Sequence, residues 1–331
     1  MKRFLIFIYT SGLLVLMCLF FQTCKKDKVC NQYNSCENFP PKEGFGISVI
    51  KQMPFQKHAP CYNPNNGNEI IYVKESNNNY QLIKLNLQSK VETVVLDNTN
   101  IVGQPKWGKN GWIVFSKLDL NVYIIKDNGD SIRQVTHYFE NTYPTFMDKD
   151  KIFFVVGSET SPPGGGGNKV IDLIGNRLDS LKVKDLGATF GISDINSNLT
   201  IASWICGANS ICSIKHFDFI NKRYLSLYDF EFNGRNNIQG IYWHPNNEDI
   251  YYSTYREGIF KVNKNSKTIT KIKCGCDSKS YRYLSISPDG SKLIVERVDA
   301  TDYQNKTGSW TEEGKIIIME IDGSHERNIF E

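Results

Sequence analysis

The sequence has almost no excess charge of either sign. Its 331 residues carry 39 lysines and arginines against 35 aspartates and glutamates, a formal net charge of +4. A protein that holds nucleic acid by neutralising phosphates needs a much larger basic excess, so nucleic acid is not an expected partner. With 22% charged and 40% apolar residues, the composition also excludes a disordered tail, a collagen-like fibre and a protein with many membrane spans.

Sequence signatures of catalytic and metal sites are missing as well. There is no G-x-S-x-G motif, no C-x-x-C pair and no pair of histidines at metal-ligand spacing. His244 occupies a repeated turn position, where a structural role is expected. We therefore predict no catalytic residue, no metal site and no cofactor. Paired carboxylates stay open, because sequence alone does not say which acidic side chains meet.

The one long apolar run lies at the amino terminus. Lys2 and Arg3 precede an almost wholly apolar stretch that ends at Phe21, and Cys24 follows a short polar break. This pattern predicts an export signal peptide over residues 1–23, cleavage before Cys24 and lipidation of that cysteine.

Other interpretations of this segment stay open. A single uncleaved membrane helix is one alternative, because the apolar run approaches the length needed to span a bilayer. Cys18 is a second candidate for lipidation, but bulky Met17 precedes it. Residues 24–45 are polar and contain Asn, Pro and Gly, which predicts a short lipid-anchored linker.

Seven further cysteines favour an exported, oxidising compartment. They are Cys30, Cys36, Cys61, Cys206, Cys212, Cys274 and Cys276. Five residues separate Cys206 from Cys212 between two strand-like runs, so a hairpin would bring the two within disulfide distance. Cys30 and Cys36 are a second candidate pair. Because seven is an odd number, at least one thiol is free or pairs between molecules.

Six similar segments fill the rest of the chain. Each has an aromatic or isoleucine anchor followed by a turn rich in Asn, Asp, Gly or Pro. The anchors are Tyr62, Trp107, Phe146, Ile195, Trp243 and Ile286. A β-branched and aromatic strand follows each turn, then a third strand, a second turn and a short fourth strand. This sixfold pattern predicts an all-β, six-bladed β-propeller with four-stranded antiparallel blades over residues 46–331.

Closure of such a ring needs one blade built from both chain ends. Residues 46–50 are the expected amino-terminal contribution to the last blade, and residues 327–330 compete for the same outer position. A pair of β-sandwiches or a β-helix is the alternative fold.

The turn sequences resemble those of a known family. Residues 286–290 read Ile-Ser-Pro-Asp-Gly, and the turns after Tyr62 and Trp243 are similar. Together with the strand that follows, this turn resembles the PD40 repeat of TolB-type, WD40-like propellers, over residues 47–331. The amino-terminal segment resembles lipoproteins of Bacteroidota-like bacteria. The resemblance implies a lipid anchor in a membrane of the bacterial cell envelope, expected to be the outer membrane on its periplasmic or surface side. It also implies docking of a protein or another cell-envelope component.

The expected partner-binding face follows from the positions of the irregular loops. In a propeller, connections between the second and third strands lie on the same face as connections between blades. The residues in such connections that favour binding are Tyr255, Arg256, Arg282, Tyr303 and Trp310. Residues 298–314 are expected to form an irregular insertion, either with exposed aromatics or folded on itself. The alternative is that these loops vary because nothing constrains them.

We therefore expect a membrane-anchored, exported, non-catalytic binding module. The main alternative is a carbohydrate-active enzyme, a lyase or hydrolase, with its site in the propeller funnel. Some oligogalacturonate lyases are similar to TolB-type propellers and use a metal held by histidines. A purely structural envelope protein is a third alternative. A cluster of histidines or carboxylates in the funnel would favour the enzyme.

Overall fold

The computed structural model describes residues 50–52, 55–76, 79–137, 141–156, 167–181, 193–206, 211–221, 223–232, 236–276, 278–304 and 309–331. The predicted signal peptide, Cys24 and the linker lie outside these residues. The described residues form strands and turns, and none of them belongs to a helix long and apolar enough to cross a membrane.

Six sheets are arranged as propeller blades, and in five of them consecutive strands pair antiparallel. Blade 1 contains β2 (Phe55–Asn63), β3 (Asn66–Ser76), β4 (Asn79–Asn86) and β5 (Glu92–Leu96). Blade 2 contains β6 (Ile101–Trp107), β7 (Trp112–Lys117), β8 (Val122–Lys126) and β9 (Arg133–Gln134). Blade 3 contains β10 (Asn141–Phe146), β11 (Lys151–Val156), β12 (Gly167–Asp172) and β13 (Arg177–Leu181). Blade 4 contains β14 (Ser193–Ile195), β15 (Thr200–Cys206), β16 (Ile211–Asp218) and β17 (Arg223–Glu231). Blade 5 contains β18 (Ile238–Trp243), β19 (Asp249–Thr254), β20 (Gly258–Asn263) and β21 (Ile269–Cys274). The sixfold repeat predicted from the anchors is confirmed.

Both chain ends complete blade 6. Its continuous strands are β22 (Lys279–Ile286), β23 (Lys292–Gln304) and β24 (Ser309–Glu320), and the chain ends supply β1 (Ile50–Gln52) and β25 (Arg327–Asn328). Strand β1 pairs parallel with β24, with Ile50 opposite Trp310. Strand β25 pairs antiparallel with β24 further along, with Asn328 opposite Ile317. Both chain ends therefore lie on the outer edge of blade 6, although of the expected segment 46–50 only Ile50 belongs to the described residues.

The second strand of each blade is apolar on both sides because it is covered on both sides. Successive side chains of a strand point to opposite faces, and in a propeller each face meets a different neighbouring blade. Tyr72 packs toward blade 6 and Val73 toward blade 2. Phe153 packs toward blade 4 and Phe154 toward blade 2. The core therefore consists of six apolar clusters, one at each junction between blades.

The expected irregular insertion at residues 298–314 is largely regular strand. Strands β23 and β24 pair in one register from Lys292 opposite Glu320 to Thr301 opposite Thr311, and after a register shift Gln304 lies opposite Ser309. Sequence reasoning recognised only the apolar part of β24, because the preceding residues are mostly polar. The strand extends through that polar part because β23 on one side and β1 on the other provide hydrogen-bond partners.

Candidate functional site

The propeller has two distinct faces. We call the face with the turns between first and second strands, such as residues 287–291, the turn face. The opposite face, which carries the connections from second to third strands, is the loop face. Residues 255–257 and the ends of β23 and β24 at Gln304 and Ser309 belong to the loop face.

One residue from each blade forms a ring around the propeller axis, close to the turn face. Each of these residues directly precedes a repeat anchor, and we call the set the axial ring. Its members are Cys61, Lys106, Thr145, Asp194, Tyr242 and Ser285. A bulge lies upstream of this position in each innermost strand except β14, which is described only from residue 193. Since a bulge changes the direction of side chains, it helps to set which ones face the axis.

Hydrogen bonds tie the axial ring to the backbones of neighbouring blades. Ser285 Oγ accepts a hydrogen bond from the backbone N–H of Tyr62 at 3.1 Å. Asp194 Oδ2 accepts one from the backbone N–H of Trp243 at 2.9 Å. These polar side chains thus satisfy backbone groups at the junctions between blades 6 and 1 and between blades 4 and 5.

A cation and an anion are buried together in the axial ring. Lys106 Nζ lies 3.9 Å from Asp194 Oδ1 and 4.8 Å from the centre of the Tyr242 ring. Burial raises the pKa of Asp194 above its ordinary value, while the nearby Lys106 ammonium opposes that shift. Burial also raises the pKa values of Cys61 and Tyr242. No described group accepts a hydrogen bond from Lys106 Nζ.

The axial ring, except for Ser285, lines a cavity of about 430 Å³ at the turn face. The first turns of the blades surround it and give it two unlike walls. Pro64, Pro245 and Pro288 line the side formed by blades 1, 5 and 6. Lys109 and Lys149 line the side formed by blades 2 and 3.

The loop face brings together four of the five residues predicted to bind a partner. The Arg256 guanidinium lies 4.8 Å from the centre of the Tyr255 ring and 5.6 Å from that of Trp310. Arg282 lies 5.8 Å from the Tyr255 ring. An Arg282 guanidinium N–H donates to Glu312 Oε2 at 3.1 Å, and Trp310 Nε1 donates to Glu312 Oε1 at 3.2 Å. We call this group the hairpin-base cluster, because it lies where the β23–β24 hairpin begins to extend past the blade.

Members of the hairpin-base cluster differ in their exposure. Trp310 is 2% exposed and Arg256 is 6% exposed, so the expectation that Trp310 is an exposed aromatic is wrong. Tyr255 and Arg282 are half-buried. The side chain of Tyr303 lies outside the described residues. Buried Trp310 and Arg256 pack at the base of the hairpin, while Tyr255 and Arg282 keep part of their side chains exposed on the loop face.

Two titratable groups next to this cluster have strongly shifted pKa values. Burial raises the pKa of Glu296 to about 7, although Arg282 and a hydrogen bond from the Ala59 N–H oppose the shift. Burial, together with the positive charge of Arg282, lowers the pKa of His58 to about 4. His58 Nε2 is buried without a hydrogen-bond partner.

The remaining candidate residues occupy structural positions. Cys206 lies directly opposite Cys212 in the β15–β16 pair, so the predicted bridge has a suitable register and stays a prediction. Cys61 has a free, buried thiol. His244 Nδ1 accepts a hydrogen bond from the Asn246 N–H at 3.1 Å and Nε2 donates to Gly290 O at 3.1 Å, as expected for a turn residue. Across the described ranges, no group of three His, Cys, Asp or Glu side chains is placed to hold a metal ion.

Sequence reasoning did not identify Lys106 and Asp194 as a pair. A signal was present, because a charged residue directly before an apolar anchor is unusual in a strand covered on both faces. The position before the other four anchors is occupied by uncharged residues. Only closure of the ring places blades 2 and 4 close enough for these two charges to meet.

Comparison with solved structures supports the propeller fold. The chain is similar to TolB from Acinetobacter baumannii, with 14% identity and a TM-score of 0.53 over 67% of this chain and 56% of that one. It is similar to a Mycobacterium tuberculosis puromycin-hydrolysing peptidase, with 11% identity and a TM-score of 0.53 over 83% and 53%. A chain of the nidogen–laminin complex gives 10% identity and a TM-score of 0.55 over 75% and 89%.

No protein-family model and no curated protein sequence matches the chain. The chain spans little more than half the length of the TolB and peptidase chains it resembles. At these identities the likeness shows the fold alone. Because a peptidase and a protein from a binding complex both share it, the fold does not by itself assign catalysis or binding.

Proposed function

We propose that the protein is an exported lipoprotein of the bacterial cell envelope, and that its propeller is a non-catalytic binding module for a protein or another envelope component. The β23–β24 hairpin carries this proposal. Its strands have 13 and 12 residues and are the longest in the described part of the chain. A long hairpin on a rigid scaffold is a common way to present a binding surface.

The hairpin-base cluster makes the hairpin suitable for docking. Buried Trp310 and Glu312 fix the lower part of β24, and Arg282 joins β22 to that strand through its ion pair with Glu312. Because the hairpin is already stiff, binding of a partner costs less conformational entropy than it would if a loop had to become ordered. Half-buried Tyr255 and Arg282 are the side chains of the predicted set that remain accessible to a partner.

Site-specific photo-crosslinking in intact envelopes tests the binding face. Thr301 on the hairpin and Asn265 on the turn face are both exposed, so a photoreactive residue at either position should not disturb the fold. We expect a discrete crosslinked product from position 301 and none from position 265. Products of the same size from both positions, or no product from position 301, would contradict loop-face docking.

The lipid anchor is tested separately with an acyl-chain label. Cys24→Ser should abolish labelling and leave an unprocessed precursor, because the modified thiol is gone. Cys18→Ser is the matched control and should be labelled and processed normally. A labelled Cys24→Ser variant, or loss of label in the control, would show that the anchor lies elsewhere.

A further inference from the structure

We propose that the cavity bounded by the axial ring binds a small amphipathic organic carboxylate, with the carboxylate on Lys106 and the apolar body against Pro64, Pro245 and Pro288. This site lies on the turn face, opposite the docking face proposed above, and is independent of it. Its volume of about 430 Å³ lies in the range of small-molecule pockets in proteins.

The Lys106 ammonium group lacks a hydrogen-bond acceptor in the described part of the chain. Lys106 is 7% exposed, and no described group accepts a hydrogen bond from its Nζ. An ammonium carries three N–H donors, and leaving buried donors unpaired is unfavourable. The nearest carboxylate oxygen, Asp194 Oδ1, is 3.9 Å away, too far for a hydrogen bond. The Nζ atom exposes less than 1 Å² in this structure, so a ligand carboxylate reaches it only when the Lys106 side chain turns toward the cavity, where a ligand oxygen would supply the missing acceptor.

The carboxylates already present in the cavity favour a ligand with a single negative charge. Asp194 accepts a hydrogen bond from the Trp243 N–H, and Asp148 on the cavity wall is paired with Lys151 at 2.9 Å. Both cavity carboxylates are thus engaged, while Lys109 on the same wall is exposed. A monoanion suits this balance better than a dianion, because Asp194 would repel the second negative charge.

The wall opposite the lysines is formed by three prolines. The three prolines come from equivalent turn positions of blades 5, 6 and 1, which are neighbours around the ring. Proline has no N–H to donate, so this wall offers mainly apolar ring surface. A ligand with one charged end and one apolar side matches both walls at once.

Naphthylacetate and its uncharged amide, naphthylacetamide, are suitable probes for isothermal titration calorimetry on the full-length protein. We expect saturable binding of one naphthylacetate per chain, about tenfold or more tighter than binding of the amide, because the amide lacks the charge-assisted hydrogen bonds. Equal affinity for the two probes, or no saturable binding of the acid, would overturn the proposal.

Variants locate the binding on the protein. Lys106→Met keeps the length of the side chain and should reduce the affinity for the acid to that for the amide.

The double variant Lys109→Gln, Lys149→Gln changes only exposed residues at the rim of the cavity, so it keeps the test decisive even if Lys106→Met does not fold. This double variant should weaken acid binding about two- to fivefold. Lys267→Gln is the control, since Lys267 is exposed on the turn face outside the cavity lining. Unchanged affinity in the double variant, or equal weakening in the control, would refute the assigned site.

Discussion

The opposite pKa shifts of His58 and Glu296 predict how stability responds to pH. An unfolded histidine takes up a proton near pH 6.5, but folded His58 does so only near pH 4. Between these values acidification favours the unfolded state, so His58 lowers the free energy of unfolding as pH falls. Folded Glu296 takes up a proton near pH 7, whereas an unfolded glutamate takes one up only near pH 4.5. Between these values acidification favours the folded state.

The two contributions overlap from pH 6.5 to 4.5 and have opposite signs. Each amounts to roughly 3 kcal/mol over that window, because one pKa unit corresponds to about 1.4 kcal/mol. Together they should nearly cancel in the wild-type protein. Substitution of either His58 or Glu296 should reveal the contribution of the other residue to the pH dependence of the free energy of unfolding.

Single substitutions and urea unfolding, followed by tryptophan fluorescence, measure this cancellation. Relative to the wild type, Glu296→Gln should lose roughly 3 kcal/mol of unfolding free energy as pH falls from 6.5 to 4.5, because only the His58 contribution remains. His58→Gln should gain a similar amount over the same window. If both variants follow the wild-type pH profile, or both change in the same direction, the assigned burial of the two groups is wrong.

Two further predictions concern packing and covalent linkage. Trp310→Ala should destabilise the fold by about 3–5 kcal/mol in urea unfolding, because removal of a large buried side chain leaves a cavity. The control Leu118→Ala changes a side chain that is 65% exposed and should change stability by less than about 0.5 kcal/mol. Equal effects would mean that β24 does not bury Trp310. Cys206 and Cys212 lie on one tryptic peptide, which should be lighter by two hydrogens in protein isolated without reductant, while Cys61 should react with alkylating agents only after denaturation. A peptide alkylated at both Cys206 and Cys212 in the native, unreduced protein would remove the predicted bridge.

The repeat pattern was predictable because it depends on local chemistry. Anchors such as Trp243 and Ile286 stand before turns that only certain residues favour, and the strands that follow are apolar on both faces. The axial ring was not predictable in the same way. Whether Lys106 faces the axis depends on a bulge in β6, and the residue it meets is Asp194, two blades away in the sequence.

Trp310 shows a second limit of sequence reasoning. Its surroundings, Ser-Trp-Thr-Glu-Glu-Gly, have the composition of a loop, and from that composition an exposed aromatic and a loop folded on itself are equally expected. The side chain is buried and lies against Arg256 and Glu312, while the backbone at Trp310 pairs with Ile50 of the amino-terminal strand β1. This pairing joins residues from opposite ends of the chain, which no local pattern encodes.

Closure of the ring on β24 also determines how the propeller carries mechanical load. Tension on the amino terminus reaches blade 6 through the β1–β24 pair, and it reaches the innermost strand of blade 1 through the chain, because only two residues separate β1 from β2. A force along β1 is applied in shear to all the backbone hydrogen bonds between β1 and β24 at the same time, and not to one bond after another. This force acts on the junction between blades 6 and 1. There Ile329 and Phe330 pack into the apolar cluster of that junction, and Lys57 Nζ lies 3.2 Å from the Phe330 ring centre. A propeller held by its amino terminus is thus pulled at its own seam, and the carboxyl-terminal residues resist the opening of that seam.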